Sequence, residues 1–343
     1  MKKIKTAVLG CSGLVGRQFV RLLKDHPFFT LSCLTASARS AGSEEIDRLP
    51  IRESTVESVM QSGARVVFSA LPAAVAAGLE TELRGRGLLV FSNASSQRLD
   101  PRVPLLIPEV NPDHLALVER QLREFPGFIV TNPNCVVAGL AIALRPLMPL
   151  GPSSVTVTTF QAVSGGGRRG VAAWDILGNV IPFIANEEEK IARETEKILG
   201  AWTGTGIRPS RLEIYPSCSR VPVREGHLQS VSVEFGQPVG REALTESFAA
   251  FSSEAQRLAL PTAPLRPILL HEQDDRPQPA LDVMAGEPER ARGMAVSVGR
   301  LRVQGRRGSF FLLVNNTVRG AAGGSLLNAE LAFRKNLLPG GEA

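Results

Sequence analysis

Lys5-Thr6-Ala7-Val8-Leu9-Gly10-Cys11-Ser12-Gly13-Leu14-Val15-Gly16 is the stretch from which the fold is read. Residues 5–9 form a short β-rich run that ends in a glycine turn. Beyond the turn, Leu14, Val15, Phe19, Leu22 and Leu23 recur at helical spacing and stop before Pro27. Strand, glycine turn and helix together open a dinucleotide-binding βαβ unit. Glycines at 10, 13 and 16 let backbone approach a pyrophosphate, and the helix start supplies N–H groups and the positive end of its dipole. A tight strand–helix turn without a ligand would show the same glycines, so context decides. Residues 30–35, 64–70 and 88–92 are near-continuously apolar, as parallel strands buried on both faces are.

Further along, the pattern changes. Residues 153–163, 229–235 and 294–303 alternate apolar and polar, and 310–314 is a fifth apolar run. Alternation predicts antiparallel strands with one face on a core. Residues 172–199 read as largely helical with a break near Pro182, and 325–338 as an amphipathic helix that returns to the first domain. The expected fold is α/β: a Rossmann-type dinucleotide-binding domain plus an α+β catalytic and dimerisation domain with a mixed, largely antiparallel sheet. The expected division is 1–134 with the C-terminal helix 322–343 for the cofactor, and 135–321 for catalysis and dimerisation.

The chain has 343 residues, 43% hydrophobic and 21% charged, which suits roughly two globular domains and excludes wholesale disorder. No apolar run approaches the length of a membrane span, and the start lacks a secretory apolar region. The net charge of +6 suits an anionic ligand but is spread thinly. With 2 Trp, 1 Tyr and no long basic run, a nucleic-acid partner is not expected. Cys11, Cys33, Cys135 and Cys218 stand far apart, so neither a disulfide framework nor a metal site is expected, and a cytoplasmic setting is.

Three further constellations carry chemistry. Ser37-Ala38-Arg39-Ser40 follows the second strand, where NAD-specific sites place an acid for the ribose. A guanidinium and two hydroxyls suit a 2′-phosphate instead, which predicts NADP(H). Asn132-Pro133-Asn134-Cys135 precedes a helical stretch, 136–144. A cysteine at a helix N-terminus has its thiolate favoured by the dipole, so a lowered pKa is expected for a reactive Cys135. A small buried apolar cysteine is the competing reading. Cys11 falls in the glycine turn, Cys33 in a strand and Cys218 in a polar loop. Among four histidines, His227 follows a glycine and opens an alternating strand, from which it can face a cleft. His26 stands before a proline, and His114 and His271 are expected to be exposed. Cys with His is a pairing of nucleophile and acid/base.

GCSGLVG, SNASSQR, PLLIPEVN, NPNCVVAGL, FQAVSGGGRRG, NVIPFIANEEEK, SRVPVREGH and NNTVRGAAGGS follow one another along the whole chain. In this order they resemble the aspartate-semialdehyde dehydrogenase family, in its archaeal and fungal branch. The resemblance implies reversible, NADPH-dependent reduction of β-aspartyl phosphate to aspartate β-semialdehyde through a cysteine thioester. That reaction serves lysine, threonine, methionine and isoleucine biosynthesis. It implies Cys135 as nucleophile, His227 as acid/base and Gln161 beside the thioester. Arg220 would hold the substrate carboxylate and Glu187 its ammonium, with a register open by one within Glu187-Glu188-Glu189. Arg98 and Lys190 would flank the phosphate, with Asn93 and Asn134 helping to position it and the carbonyl.

For NADP(H), the resemblance assigns Gly10, Ser12, Gly13, Leu14, Val15 and Gly16 to the pyrophosphate turn, Ser37, Arg39 and Ser40 to the 2′-phosphate, and Ser164, Gly165 and Asn316 to the nicotinamide half. The partners implied are a small-molecule substrate, phosphate and a second copy, as homodimer or homotetramer. Two departures stand out: Val136-Val137 after the cysteine and Arg168-Arg169 beside the glycines. Malonyl-CoA reductase, which resembles this branch, is the nearest rival, and a non-catalytic NADP-binding protein is the rival from another class.

Overall fold

The computed structural model describes residues 2–42 and 45–339. The ends of the predicted segments at Met1 and 340–343 lie outside the described residues. Strands β1 (Ile4–Leu9), β2 (Phe29–Ala36), β3 (Glu45–Ile46), β4 (Leu49–Glu53), β5 (Val66–Ser69), β6 (Leu89–Ser92) and β7 (Phe128–Thr131) form the first sheet. Its order is β3-β4-β2-β1-β5-β6-β7, and every pair is parallel except β3 with β4. The order reverses direction at β1, which places a crevice above that strand's carboxyl end. Helices α1 (Leu14–Leu23), α2 (Val56–Gln61), α3 (Ala73–Gly85) and α4 (Leu117–Glu124) accompany these strands. Every residue of β5, β6 and β7 is buried, as their unbroken apolar sequences require.

Helix α5 (Cys135–Leu144) leads into the second sheet, and eight of its residues carry wholly apolar side chains. It is followed by β8 (Pro152–Gln161), the short helix α6 (Ala173–Ile176) and α7 (Glu187–Ile198). A small hairpin, β9 (Ala201–Trp202) and β10 (Ile207–Arg208), precedes β11 (Glu213–Arg220) and β12 (His227–Phe235). Strands β13 (Ile268–Leu270), β14 (Val296–Gln304) and β15 (Arg307–Val314) complete a sheet of order β11-β8-β12-β15-β14-β13. Its centre is antiparallel, and its two edge pairs are parallel. The sheet is mixed, as expected, and β12 alternates strictly between buried and half-buried positions.

Four expectations need correction. Residues 172–199 are not largely helical: 177–186 separate α6 from α7, and Ile181 there bridges Arg220. Cys218 is not in a loop but buried in β11. The strand is hard to see because Pro216 interrupts it, which an edge strand tolerates. The last helix, Gly323–Arg334, is not amphipathic, since residues 323–333 are buried on every side. Its leucines share one core with Val8, Phe68, Phe91 and Phe128 of the first sheet and with Leu260 and Met294. Its one charged residue facing that core, Glu330, accepts from Thr262 N at 2.9 Å and meets His26 Nε2 at 2.9 Å. Finally, His114 is buried and His271 half-buried, not exposed. His114 Nε2 lies 3.0 Å from Gly200 O and its Nδ1 2.8 Å from Asn111 Nδ2, so it links α4's lead-in to the end of α7.

Candidate active site

A cleft of about 890 Å³ runs between the two sheets. Gly10, Ser12, Gly13, Leu14, Val15 and Ser37 line one end, and Asn93, Arg98, Asn134, Cys135, Ser164, Gly165 and Asn316 the other. Gly13 caps α1 without any side-chain bond to the first-turn N–H groups, so these remain available to an anion. A Cβ on Gly16 would stand 2.1 Å from Gly10 O, so only glycine lets α1 pack this close to the turn. The turn, its uncapped amides and the cleft's size fit a dinucleotide. Gly16 itself lies behind the lining. Arg39 and Ser40 sit in the turn after β2, outside the lining, with Arg39 exposed.

At the other end, Cys135 is the first residue of α5, and Asn134 caps that helix by accepting from Val136 N at 2.8 Å. Cys135 Sγ lies 3.2 Å from His227 Nε2. His227 is fully buried at the start of β12, and Ala162 N donates to its Nδ1 at 3.1 Å. In the neutral ring that bond places the proton on Nε2, facing sulfur. Arg220 Nη1 donates to Ala162 O at 2.8 Å, so one residue joins both side chains. Gly165 fits against this pair because a Cβ there would meet Arg220 Nη1 at 2.6 Å and His227 Nε2 at 3.3 Å.

The expected low thiol pKa is overturned. Burial, with the Glu187 carboxylate adding to it, pushes the Cys135 thiol up to about 12 despite Arg98 and Arg220. Burial and Arg220 push His227 down to about 3. The pair therefore rests as thiol and neutral imidazole: desolvation outweighs the helix dipole, an effect worth at most about 2 kcal/mol.

Helix α7 supplies the acids. Glu187 is buried, and its Oε1 accepts from Asn134 Nδ2 at 2.9 Å and Gln161 Nε2 at 3.1 Å. Its Oε2 has no bond among the described residues. Glu188 instead accepts from Cys218 N at 2.9 Å, and Glu189 is exposed beside Arg193, which places Glu187 as the inward carboxylate. Arg98 is buried, donating to Glu194 Oε1 at 3.0 Å and Asn93 O at 2.7 Å. Asn316 accepts from Gly226 N at 2.9 Å and donates to Ser164 Oγ at 2.9 Å, tying the glycine loop to the lead-in of His227. Lys190 is half-buried and lies outside the cleft lining.

Residues 5–118 match the family described as semialdehyde dehydrogenase, NAD binding domain, and residues 144–319 match semialdehyde dehydrogenase, dimerisation domain. The chain belongs to the semialdehyde dehydrogenase family. It is 44% identical to an aspartate-semialdehyde dehydrogenase of Archaeoglobus fulgidus, over 98% of this chain and 100% of the relative. It is 37% identical to a malonyl CoA reductase (NADP) of Metallosphaera sedula, over 98% of this chain and 99% of that one. The structure of aspartate semialdehyde dehydrogenase with NADP from Candida albicans superposes with a TM-score of 0.86 at 36% identity, covering 98% of this chain and 100% of that one.

Some residues of this semialdehyde dehydrogenase site escaped the sequence reading. Glu194 holds Arg98 with Oε1 and accepts from Asn134 N with Oε2 at 2.6 Å, so it joins the cation to the cap of the helix that Cys135 begins. The signal was present: Glu194 stands seven residues after Glu187, on the same helix face. Lys197, one residue short of the next turn, donates to the carbonyls of Arg98, Asp100 and Val103 and braces the Arg98 turn. Asn132 Nδ2 donates to Asn93 Oδ1 at 3.2 Å. Arg319 makes a buried two-pronged pair with Glu109 at 2.6 and 2.7 Å, which anchors the turn that lines the cleft with Gly320 and Ala321. No local pattern announces these partners. Arg168, one of the two arginines beside the glycines, reaches across the cleft to Ser12 O at 3.2 Å.

Proposed function

We propose that this chain is an NADP-dependent, phosphorylating aspartate-semialdehyde dehydrogenase. The observation that carries the reading is the Cys135–His227 contact of 3.2 Å in a cleft that also holds the dinucleotide turn. NADPH supplies the hydride when bound, and Ser12, Gly13, Leu14 and Val15 would hold its diphosphate, with Ser37, Arg39 and Ser40 near the 2′-phosphate and Ser164, Gly165 and Asn316 near the nicotinamide.

Cys135 attacks the acyl phosphate. The C–S bond forms, the C–O bond to phosphate breaks, and the thiol proton leaves with the phosphate. The negative charge that sulfur carries as its proton leaves is met by His227 Nε2–H and by the Arg98 and Arg220 guanidiniums, which already act on Cys135, and it passes to the departing phosphate as the C–S bond forms. His227, with Nε2–H beside Cys135 Sγ, would be the acid/base for the oxygen on the carbon joined to that sulfur. Arg220 has one guanidinium nitrogen on Ala162 and presents the rest to the substrate carboxylate. Glu187 Oε2 is available to the substrate ammonium, and Gln161 and Asn134 hold that carboxylate in place. Arg98 and Asn93, both in the cleft lining, make up the phosphate side, with Lys190, outside that lining, as its second cation. Glu187 favours an amino-acid substrate over malonyl-CoA, which has no ammonium.

The proposal includes a domain division at 1–134 with 322–343, and 135–321, and a homodimer formed by the second domain. Trp174 (95% exposed), Leu177 (71%) and Phe183 (68%) form an apolar run unusual for free surface, and a second copy covers it in this reading. The free cysteines fit a reducing, cytosolic setting.

The test assays phosphate-dependent NADP⁺ reduction with aspartate semialdehyde beside NADPH oxidation with malonyl-CoA. Turnover in the first assay alone is expected; turnover in the second alone transfers the assignment to malonyl-CoA reduction.

A further inference from the structure

A second cavity, of about 520 Å³, shares no lining residue with the cleft. It lies between the end of α3, helix α4, the turn 99–102, the outer side of α7 and the β9–β10 hairpin. That volume is typical of a small-molecule site. Its walls are of two kinds. Leu99, Leu117, Phe125 and Ile207 supply apolar surface, whereas cations outnumber acids among the charged lining.

Three of the five cations are already engaged. Arg102 pairs with Asp100, Arg193 with Glu189, and Lys197 serves three carbonyls. Arg84 is different. It is only 7% exposed, yet its side chain makes no hydrogen bond or ion pair among the described residues, and its Nε is buried without a partner. Its guanidinium carbon lies 3.8 Å over the centre of the Phe125 ring, which fixes the plane of the fork at the cavity wall. Buried charges are normally paired, because desolvation without a partner is costly. Glu124 and Asp100 act on Arg84 through space, but neither reaches ion-pair distance.

We infer that this cavity is a binding site for a small carboxylate with a flat or branched apolar body, its carboxylate paired to the Arg84 fork and its body laid against Leu117 and Ile207. A planar fork stacked on a ring favours two-pronged recognition of a carboxylate. The apolar wall selects for a body that a bare anion lacks. The site is separate from the reaction and does not depend on the substrate assignment. It is nevertheless tied to the phosphate side, because Lys197 and the turn behind the cavity carry Arg98.

Calorimetric titration of the full chain with benzoate tests this, with benzamide as the neutral twin and acetate as the carboxylate without a body. Benzoate is expected to bind at least about tenfold more tightly than either control, and saturating NADP⁺ should not displace it. Arg84→Met, which keeps apolar bulk, should lose benzoate at least about tenfold while retaining its NADP⁺ affinity; Arg84→Lys, which keeps charge without the fork, should fall between. Equal binding of benzoate and benzamide, or of benzoate and acetate, overturns the inference on the native chain alone. So do absence of benzoate binding, displacement by NADP⁺, and undiminished binding by a folded Arg84→Met.

Discussion

The two ends of the cleft are built differently. At the glycine-turn end, one contiguous turn presents uncapped backbone N–H groups, and the side chains around it, Ser37, Ala38 and Arg39, are exposed. At the chemical end, Arg98, Asn134, Gln161, Glu187 and Glu194 are each 8% exposed or less and bond to one another across four separate elements, and His227 is fully buried beside Cys135. The first arrangement tolerates change one side chain at a time, since water can replace a lost contact. The second is a closed network in a low dielectric, where a lost partner leaves a buried polar group behind.

Predictions that probe this contrast start with the nucleophile. Cys135→Ser should reduce turnover to below about one per cent of native while leaving NADP⁺ affinity unchanged, because the sulfur acts only in bond formation. Substantial residual turnover would move the nucleophile elsewhere.

Glu194→Ala comes next. It strands Arg98 and removes the acceptor of Asn134 N, so urea unfolding should show a loss of about 3–5 kcal/mol, together with a raised Michaelis constant for phosphate. A loss below about 1 kcal/mol would mean that the chemical end is as forgiving as the glycine-turn end.

The thiol's protonation is a third way to sharpen the comparison. With the Cys135 pKa raised by burial, iodoacetamide labelling of the free enzyme should climb about tenfold per pH unit through neutral and mildly alkaline pH. A plateau near neutrality would show that the helix dipole outweighs desolvation. Buried Cys11, Cys33 and Cys218 should label more slowly throughout.

The smallest effect belongs to the exposed end. Arg39→Ala should raise the NADPH Michaelis constant on the order of threefold to tenfold and change NADH use little, as loss of one solvent-screened phosphate contact does. Equal losses with both cofactors would place the 2′-phosphate away from Arg39.

What was legible in the sequence follows the same division. The glycine turn, the buried parallel strands and the alternating strands are written in contiguous residues, because backbone conformation and burial period are local properties. Cys135 at a helix start and His227 at a strand start could be picked out for the same reason. The order of NPNC, FQAVSG and SRVPVREGH identified the family without any contact being known. Tertiary structure alone decided which carboxylate of Glu187-Glu188-Glu189 turns inward, and that Glu194 and Lys197 brace Arg98. It also raises the Cys135 thiol and lowers His227 by burial, against the expectation from the helix dipole. A pKa depends on every charge and every missing water within several ångströms, and here the charges come from the Arg98 turn, α7 and β11 onto groups at the starts of α5 and β12. The same dependence hid His114 and the last helix: a polar or charged residue looks exposed until the fold supplies a partner such as Gly200 O or Thr262 N.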